Sequence, residues 1–178
     1  CHRHGVPFGA RAHGSGLSGG ALPIPGGVVI GLARLNRVID VDIPNRRVTV
    51  EPGVTNLAIT QLVAPFGFYY APDPSSQQVC SIGGNIAENS GGAHCLKYGF
   101  TVHHVLAIEV VLANGDLVRL DSAIADAPGP DLLGVFIGSE GTLGIVTKIT
   151  VRVLRKPETV QTLLAAYASI PEAGAAVS

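Results

Sequence analysis

The sequence contains no methionine and no tryptophan, and only 5% of its 178 residues are aromatic. Because a complete translation product begins with methionine, we expect a processed chain or a piece of a longer protein. Charged residues make up 14% of the chain and the formal net charge is −1. Such a balance does not favour a nucleic acid or an anionic membrane as a partner.

Long apolar runs and a zinc-like cysteine pattern are also missing. No apolar run reaches the ~18 residues that a spanning helix needs. The first ten residues carry His, Arg and Pro where a signal peptide has its apolar core. The three cysteines, Cys1, Cys80 and Cys95, are odd in number and lack metal-ligand spacing. We therefore expect reduced thiols, a cytoplasmic location and no membrane insertion, with Cys80 and Cys95 as packing residues.

Hydrophobic residues and glycine are plentiful. A hydrophobic share of 47% supplies one domain with a sizeable core. The 23 glycines follow no repeat, and such an excess indicates functional loops.

Three segments are rich in glycine and are predicted to line one buried site; they cover 11–20, 72–99 and 138–144. In the second, the pairs Gly83-Gly84 and Gly91-Gly92 permit backbone approaches that a Cβ would block. Small hydroxyl and amide side chains lie between the pairs. This composition suits a large, flat ligand with polar edges.

The first segment, Arg-Ala-His-Gly-Ser-Gly-Leu-Ser-Gly-Gly, can present successive backbone N–H groups to an anion. An ordinary surface turn is the alternative for a lone glycine-rich loop. No Gly-Lys-Ser/Thr ends the segment, so it is not a Walker A loop.

The periodicity predicts an α+β domain, because strands and helices follow one another without strict alternation. Strands are expected over 6–10, 28–32 (buried), 145–154 and 160–167, and hairpins over 38–51 and around Asn114-Gly115 at 105–120. Helices are expected over 56–66, capped by Thr55 and Gly67, and over 82–89, 131–137 and 171–177. An irregular loop is expected over 122–130. The helix over 56–66 places Ile59, Leu62, Val63 and Phe66 on one apolar face.

Taken together, the segments 10–20, 81–99 and 138–147 resemble the FAD-binding (PCMH-type) domain of the vanillyl-alcohol oxidase / p-cresol methylhydroxylase flavoprotein family. The likeness covers nearly all of 6–157. Within this family of FAD-linked oxidases the chain is most similar to the glycolate oxidase D-subunit and D-lactate dehydrogenase branch. The resemblance implies two α+β subdomains that grip FAD, incomplete at the amino end over 1–157. It also implies that 158–178 begin a cap domain that holds the substrate.

The same resemblance implies which residues contact FAD. The first loop would bind the pyrophosphate, the second segment would follow the diphosphate, ribityl chain and ring, and the third would contact the adenosine end. The implied set is Ala12, His13, Gly14, Ser15, Gly16, Leu17, Ser18, Pro72, Asp73, Pro74, Ser75, Ser81, Ile82, Gly83, Gly84, Asn85, Asn89, Ser90, Gly91, Gly92, Glu140, Gly141, Gly144, Ile145 and Val146.

Two departures from the family pattern matter. Some relatives attach the flavin covalently through a His, but the matching position here is Ser15, and His13 lies two residues earlier. We therefore expect non-covalent FAD. The family's proton-abstracting and metal-binding groups lie in the cap domain, so we predict no catalytic residue and no metal site in this chain.

Some single residues admit two interpretations. Lys97 could stabilise charge on a reduced flavin, or it could be a solvated surface lysine. Glu140 could bond the cofactor's ribose or adenine, or cap the following turn. The spacing of His94, His103 and His104 favours unrelated loop histidines over a metal cluster.

The resemblance implies the FAD-binding portion of a 2-hydroxyacid dehydrogenase or oxidase for glycolate or D-lactate. Such enzymes transfer the Cα hydrogen to the flavin as hydride. Electron-transfer subunits are possible partners. Two alternatives stay open: the FAD domain of an aromatic-alcohol oxidase or sugar-nucleotide reductase, and a non-catalytic domain that binds a nucleotide or a partner chain.

Overall fold

A computed structural model describes residues 1–121 and 129–177. Its strands are β1 (Phe8–Arg11), β2 (Val28–Gly31), β3 (Val38–Asp42), β4 (Arg47–Val50), β5 (Phe68–Tyr69), β6 (Val105–Val111), β7 (Leu117–Asp121), β8 (Ile145–Arg152) and β9 (Leu154–Arg155). Its α-helices are α1 (Asn56–Val63), α2 (Ile82–Glu88), α3 (Cys95–Tyr98), α4 (Leu132–Phe136) and α5 (Ile170–Val177), and 3₁₀ turns cover His2–His4, Ala64–Phe66 and Thr101–His103.

The central element is an antiparallel sheet of five strands in the order β3-β4-β8-β6-β7. Strands β1 and β2 form a separate parallel pair, and β5 pairs antiparallel with β9. Helices thus mix with a largely antiparallel sheet, which confirms the predicted α+β class.

The core lies between the sheet and two helices. Fully buried side chains alternate along β4 at Val48 and Val50, as expected for a strand with one covered face. Helices α1 and α2 contribute Ile59 and Ile86 to the same cluster. This packing fixes α2 against the sheet, and α2 carries the first glycine pair, Gly83-Gly84, of the second glycine-rich segment.

Both predicted hairpins are confirmed, and so is the N-cap of α1, although α1 itself ends at Val63. The Thr55 side chain accepts a hydrogen bond from the Ala58 amide at 3.4 Å. Gly67 ends the following 3₁₀ turn in the left-handed region, with φ at 77°.

Three predictions were wrong in detail. Strand β2 is mostly exposed, because it lies in the separate two-stranded sheet and none of its residues belongs to the buried core cluster. Phe66 is 57% exposed, because the helix tightens into a 3₁₀ turn at Ala64 and rotates this side chain away from the core. Residues 160–167 are exposed and form no strand. Most of the loop predicted over 122–130 lies outside the described residues.

Candidate functional site: a glycine-lined cleft

A cleft of about 550 Å³ lies beside α2, and all three glycine-rich segments contribute to its wall. This volume is within the range of clefts that hold small molecules and cofactors. The chain thus brings together segments that are up to about 130 residues apart in sequence.

Most residues implied by the resemblance line this cleft. They are Ala12, His13, Gly14, Ser15, Gly16, Leu17, Ser18, Ser75, Ser81, Gly83, Gly84, Asn85, Ser90, Glu140, Gly141, Gly144, Ile145 and Val146. The wall therefore combines backbone, hydroxyl and amide groups with a few apolar side chains.

The other implied residues lie outside the wall: Pro72, Asp73, Pro74, Ile82, Asn89, Gly91 and Gly92. Ile82 is fully buried in the core. Asn89 ends α2 in the left-handed region, and its Oδ1 accepts a hydrogen bond from the Val102 amide at 2.9 Å. A Cβ at Gly91 would come within 2.5 Å of Cys95 Sγ, so chain packing explains the glycine there.

The first loop follows β1, whose pairing with β2 fixes where the loop begins. Gly14 has a φ of 69°, which a glycine adopts without strain. In the part of the chain that the structure describes, no backbone N–H of residues 12–18 donates to another protein group. The loop therefore has free donors for an anionic ligand.

Helix α2 runs along the cleft, and its first turn packs tightly on Pro52. Ser81 caps it by accepting a hydrogen bond from the Gly84 amide at 3.4 Å. A Cβ at Gly83 would lie 2.6 Å from Pro52 Cβ. Gly83 is therefore required for close packing of the helix, whatever the ligand.

The third segment is hydrogen-bonded to the end of α2. The Gly138 and Glu140 amides donate to the carbonyls of Ile86 and Ala87, each at 2.8 Å. Glu140 has a φ of 55°, uncommon for a residue with a Cβ, and its exposed side chain stands at the cleft.

A buried polar network supports the cleft from behind. Asn56 Nδ2 donates to the Pro72 carbonyl and to Asn85 Oδ1, each at 3.0 Å. Asn85 Nδ2 in turn donates to Cys80 Sγ at 3.4 Å. Cys80 is 4% exposed, in line with its predicted packing role.

The histidines singled out from the sequence each have a separate partner. His94 Nδ1 lies 2.5 Å from Asp73 Oδ2, His103 Nδ1 accepts from the Phe100 amide at 3.1 Å, and His104 Nε2 donates to the Tyr98 carbonyl at 2.8 Å. Within 1–121 and 129–177, no group of His, Cys, Asp or Glu has the arrangement of a metal site.

Lys97 is exposed and lies over the Tyr98 ring, 5.2 Å from its centre, outside the cleft wall. This position favours the interpretation as a solvated lysine. A hydrogen bond with Tyr69 and the nearby Lys97 cation lower the pKa of the Tyr98 hydroxyl.

The residue set implied by the resemblance omits part of the wall: Ala10, Arg11, Gly20, Ala21, Leu32, Pro52, Ser76, Cys80, Ile86, Ala87, Glu88 and Phe136. Most of these lie within or next to the glycine-rich segments 11–20 and 72–99, which were predicted to line the site. Leu32, Pro52 and Phe136 come from other elements, and no local pattern marks them as site residues.

A glycine-lined cleft with unpaired backbone donors, a rim of hydroxyls and apolar patches fits a dinucleotide with aromatic rings. The free N–H groups of the first loop suit a diphosphate, and the apolar side chains of Leu32, Phe136 and Val146 suit ring surfaces. Fold and site together define an α+β nucleotide-cofactor domain.

Comparison with known families agrees with this class. Residues 1–121 match the family described as FAD binding domain. The chain belongs to this family, and FAD is the cofactor that it implies.

The sequence is similar to curated relatives over nearly its whole length. It is 55% identical to glycolate oxidase subunit GlcD of Escherichia coli strain K12 over 177 residues, which are 99% of this chain and 36% of the relative. It is 48% identical to glycolate oxidase subunit GlcD of Bacillus subtilis strain 168, over 100% of this chain and 38% of the relative. A D-lactate dehydrogenase of Anaerostipes hadrus is 36% identical over 99% of this chain and 37% of that protein.

Among solved structures, an alkyldihydroxyacetonephosphate synthase superposes with a TM-score of 0.77 at 25% identity, over 89% of this chain and 29% of that chain. The present chain spans little more than a third of the length of these curated relatives. Among the described residues, no helix has the length and apolar character needed to cross a bilayer.

Proposed function

We propose that this chain is the FAD-binding portion of a flavin-dependent 2-hydroxyacid dehydrogenase or oxidase that acts on glycolate or D-lactate. The observation that carries the proposal is the 55% identity, over 99% of the chain, to a protein named as a glycolate oxidase subunit. The cleft supports it, because its wall suits a dinucleotide with aromatic rings.

The chain's role is to bind and orient the cofactor. Its first loop offers backbone donors and the hydroxyls of Ser15 and Ser18 to the diphosphate, and the third segment closes the cleft against α2. FAD, when bound, supplies the acceptor for the hydride that leaves the substrate's Cα. The base that takes the substrate's hydroxyl proton belongs to the cap domain, and no residue of this chain is assigned as catalytic.

The contacts near the carboxyl end support a domain boundary near residue 157. Strand β9 pairs with β5, and the Lys156 amide donates to the Gly67 carbonyl at 2.8 Å. Residues 158–177 are almost entirely exposed. We assign 1–157 to the FAD-binding domain and 158–178 to the start of the cap domain.

Two further assignments rest on the relatives. Both glycolate oxidase relatives are named as subunits, which supports partner subunits for this protein as well. We also propose a cytoplasmic location. Affinity purification of the tagged protein from its own cells, with fractionation of those cells, tests both.

The decisive experiment is an anaerobic reduction of the full-length gene product by candidate substrates. Glycolate or D-lactate should bleach the visible absorbance of bound FAD, whereas L-lactate serves as the stereochemical control. An aromatic alcohol or NADPH that bleaches the flavin, when neither hydroxyacid does, would support the alternative enzymes. A colourless protein that binds ADP would support the non-catalytic alternative.

A further inference from the structure

A carboxylate already stands at the loop that is proposed to bind the cofactor's diphosphate. Glu88 is the last residue of α2, and Ser18 belongs to the first glycine-rich loop. Ser18 Oγ donates a hydrogen bond to Glu88 Oε2 at 2.8 Å, and both residues line the cleft.

The carboxylate also approaches the middle of the loop. A Cβ built at Gly16 would lie 3.1 Å from Glu88 Oε1. The backbone N–H groups around it, at residues 12–18, have no acceptor in the described part of the chain. An anionic side chain thus stands beside the donors that suit a phosphate.

The charge of Glu88 is not neutralised by an ion pair. Within residues 1–121 and 129–177, no Lys, Arg or His lies within ion-pair distance of it. The guanidinium of Arg11, the last residue of β1, lies beside Gly14 of the loop. A diphosphate that enters the cleft therefore meets a like charge as well as a cation.

We propose that Glu88 stands where the diphosphate of FAD binds the first loop, so that its negative charge opposes this binding. The inference rests on the proposed function, since it assumes that the ligand is a flavin dinucleotide. In this proposal the Ser18 hydroxyl, which donates to Glu88, turns to a phosphate oxygen of the bound cofactor. Glu88 thereby lowers the affinity for phosphate-bearing ligands and leaves that for a flavin without phosphate unchanged.

The test is a titration of the flavin-free, full-length gene product with FAD and with riboflavin, followed by flavin fluorescence. Glu88→Gln removes the charge but keeps the side-chain size and an acceptor for Ser18. Glu158→Gln is the matched control, because Glu158 is exposed, lies outside the cleft and involves the same change of charge.

We expect Glu88→Gln to bind FAD about three- to tenfold more tightly at low ionic strength, as for the loss of one like-charge contact near a surface. The gain should shrink as salt rises, because salt screens the repulsion. Riboflavin affinity should stay within about twofold of the wild type, since riboflavin carries no phosphate. Glu158→Gln should bind both ligands like the wild type.

Unchanged or weaker FAD binding by Glu88→Gln would overturn the inference while the proposed function stands. So would an equal gain for riboflavin, or the same gain in Glu158→Gln. A wild-type protein that binds neither flavin would overturn the proposed function and the inference together. Circular dichroism checks folding, and Glu88→Ala, with the same expected direction, replaces Glu88→Gln if that variant misfolds.

Discussion

The α-carbon of Gly92 lies against the main-chain carbonyl of Asp73, so close that any Cβ at position 92 would overlap it. The Asp73 side chain also bonds His94, two residues further along the chain. The turn around Asp73 and the second glycine pair therefore pack as one unit next to the cleft. The absence of a side chain at Gly92 serves this packing.

Gly92→Ala should destabilise the protein even without cofactor. Overpacking against backbone costs about 1–3 kcal/mol, because main-chain atoms cannot rotate away as a side chain can. Urea unfolding of the flavin-free protein measures the change. Gly9→Ala is the control, since a Cβ there meets nothing within 4 Å. If Gly92→Ala is as stable as the wild type, the backbone at Asp73 can move aside to accept the added Cβ, and the prediction is wrong.

Asn56→Ala should lower the free energy of unfolding by about 1–3 kcal/mol, because it removes the donor that serves two buried acceptors. Asn56 is 1% exposed and joins the Pro72 carbonyl to the side chain of Asn85. The same denaturation experiment applies, with the exposed Asn36→Ala as the control. A loss no larger than that of Asn36→Ala would contradict the role of the network.

The protein should lose stability on acidification through His104. This side chain is fully buried, and burial lowers the pKa of its imidazole, aided by the nearby charges of Arg152 and His103. A hydrogen bond to the Tyr98 carbonyl opposes this shift of the pKa. The unfolded chain, with an ordinary pKa of about 6.5, therefore takes up the proton first, and stability falls as the pH drops below that value.

His104→Gln should flatten this dependence. Unfolding free energies measured from about pH 7.5 to about pH 5.5 should fall less in the variant than in the wild type. The exposed His4→Gln serves as the control and should keep the wild-type slope. An unchanged slope in His104→Gln would mean that other groups carry the acid sensitivity.

Acid precipitation of the purified holoprotein should release its yellow colour into the supernatant. The resemblance puts Ser15, which cannot form the histidyl link, at the matching position of the first loop, and Ser15 lines the cleft. Absorbance of pellet and supernatant measures the outcome. If the pellet stays yellow, His13→Ala distinguishes a link through His13 from a link elsewhere.

Local patterns predicted the hairpins and caps well, because turn chemistry and N-capping depend on a few neighbouring residues. Asn114-Gly115 and Thr55 are examples. Predictions of burial were less accurate, because burial depends on residues that are distant in the sequence. Strand β2 has an apolar sequence, yet it is mostly exposed, and Phe66 turns away from the core although it fits the helical period.

The candidate site also combines features that residue type predicts with features that only the tertiary structure decides. The positions of glycine, serine and asparagine predicted the three segments that line the cleft. Small residues let the backbone approach a ligand closely, and this property depends on residue type alone. Which glycines serve the cleft and which serve packing was decided only in three dimensions, as Gly83 against Pro52 and Gly92 against Asp73 demonstrate. The contact of Glu88 with Ser18 likewise joins two residues that are 70 positions apart in the sequence. Residue chemistry is local, whereas the distance between two side chains is a property of the whole packed chain.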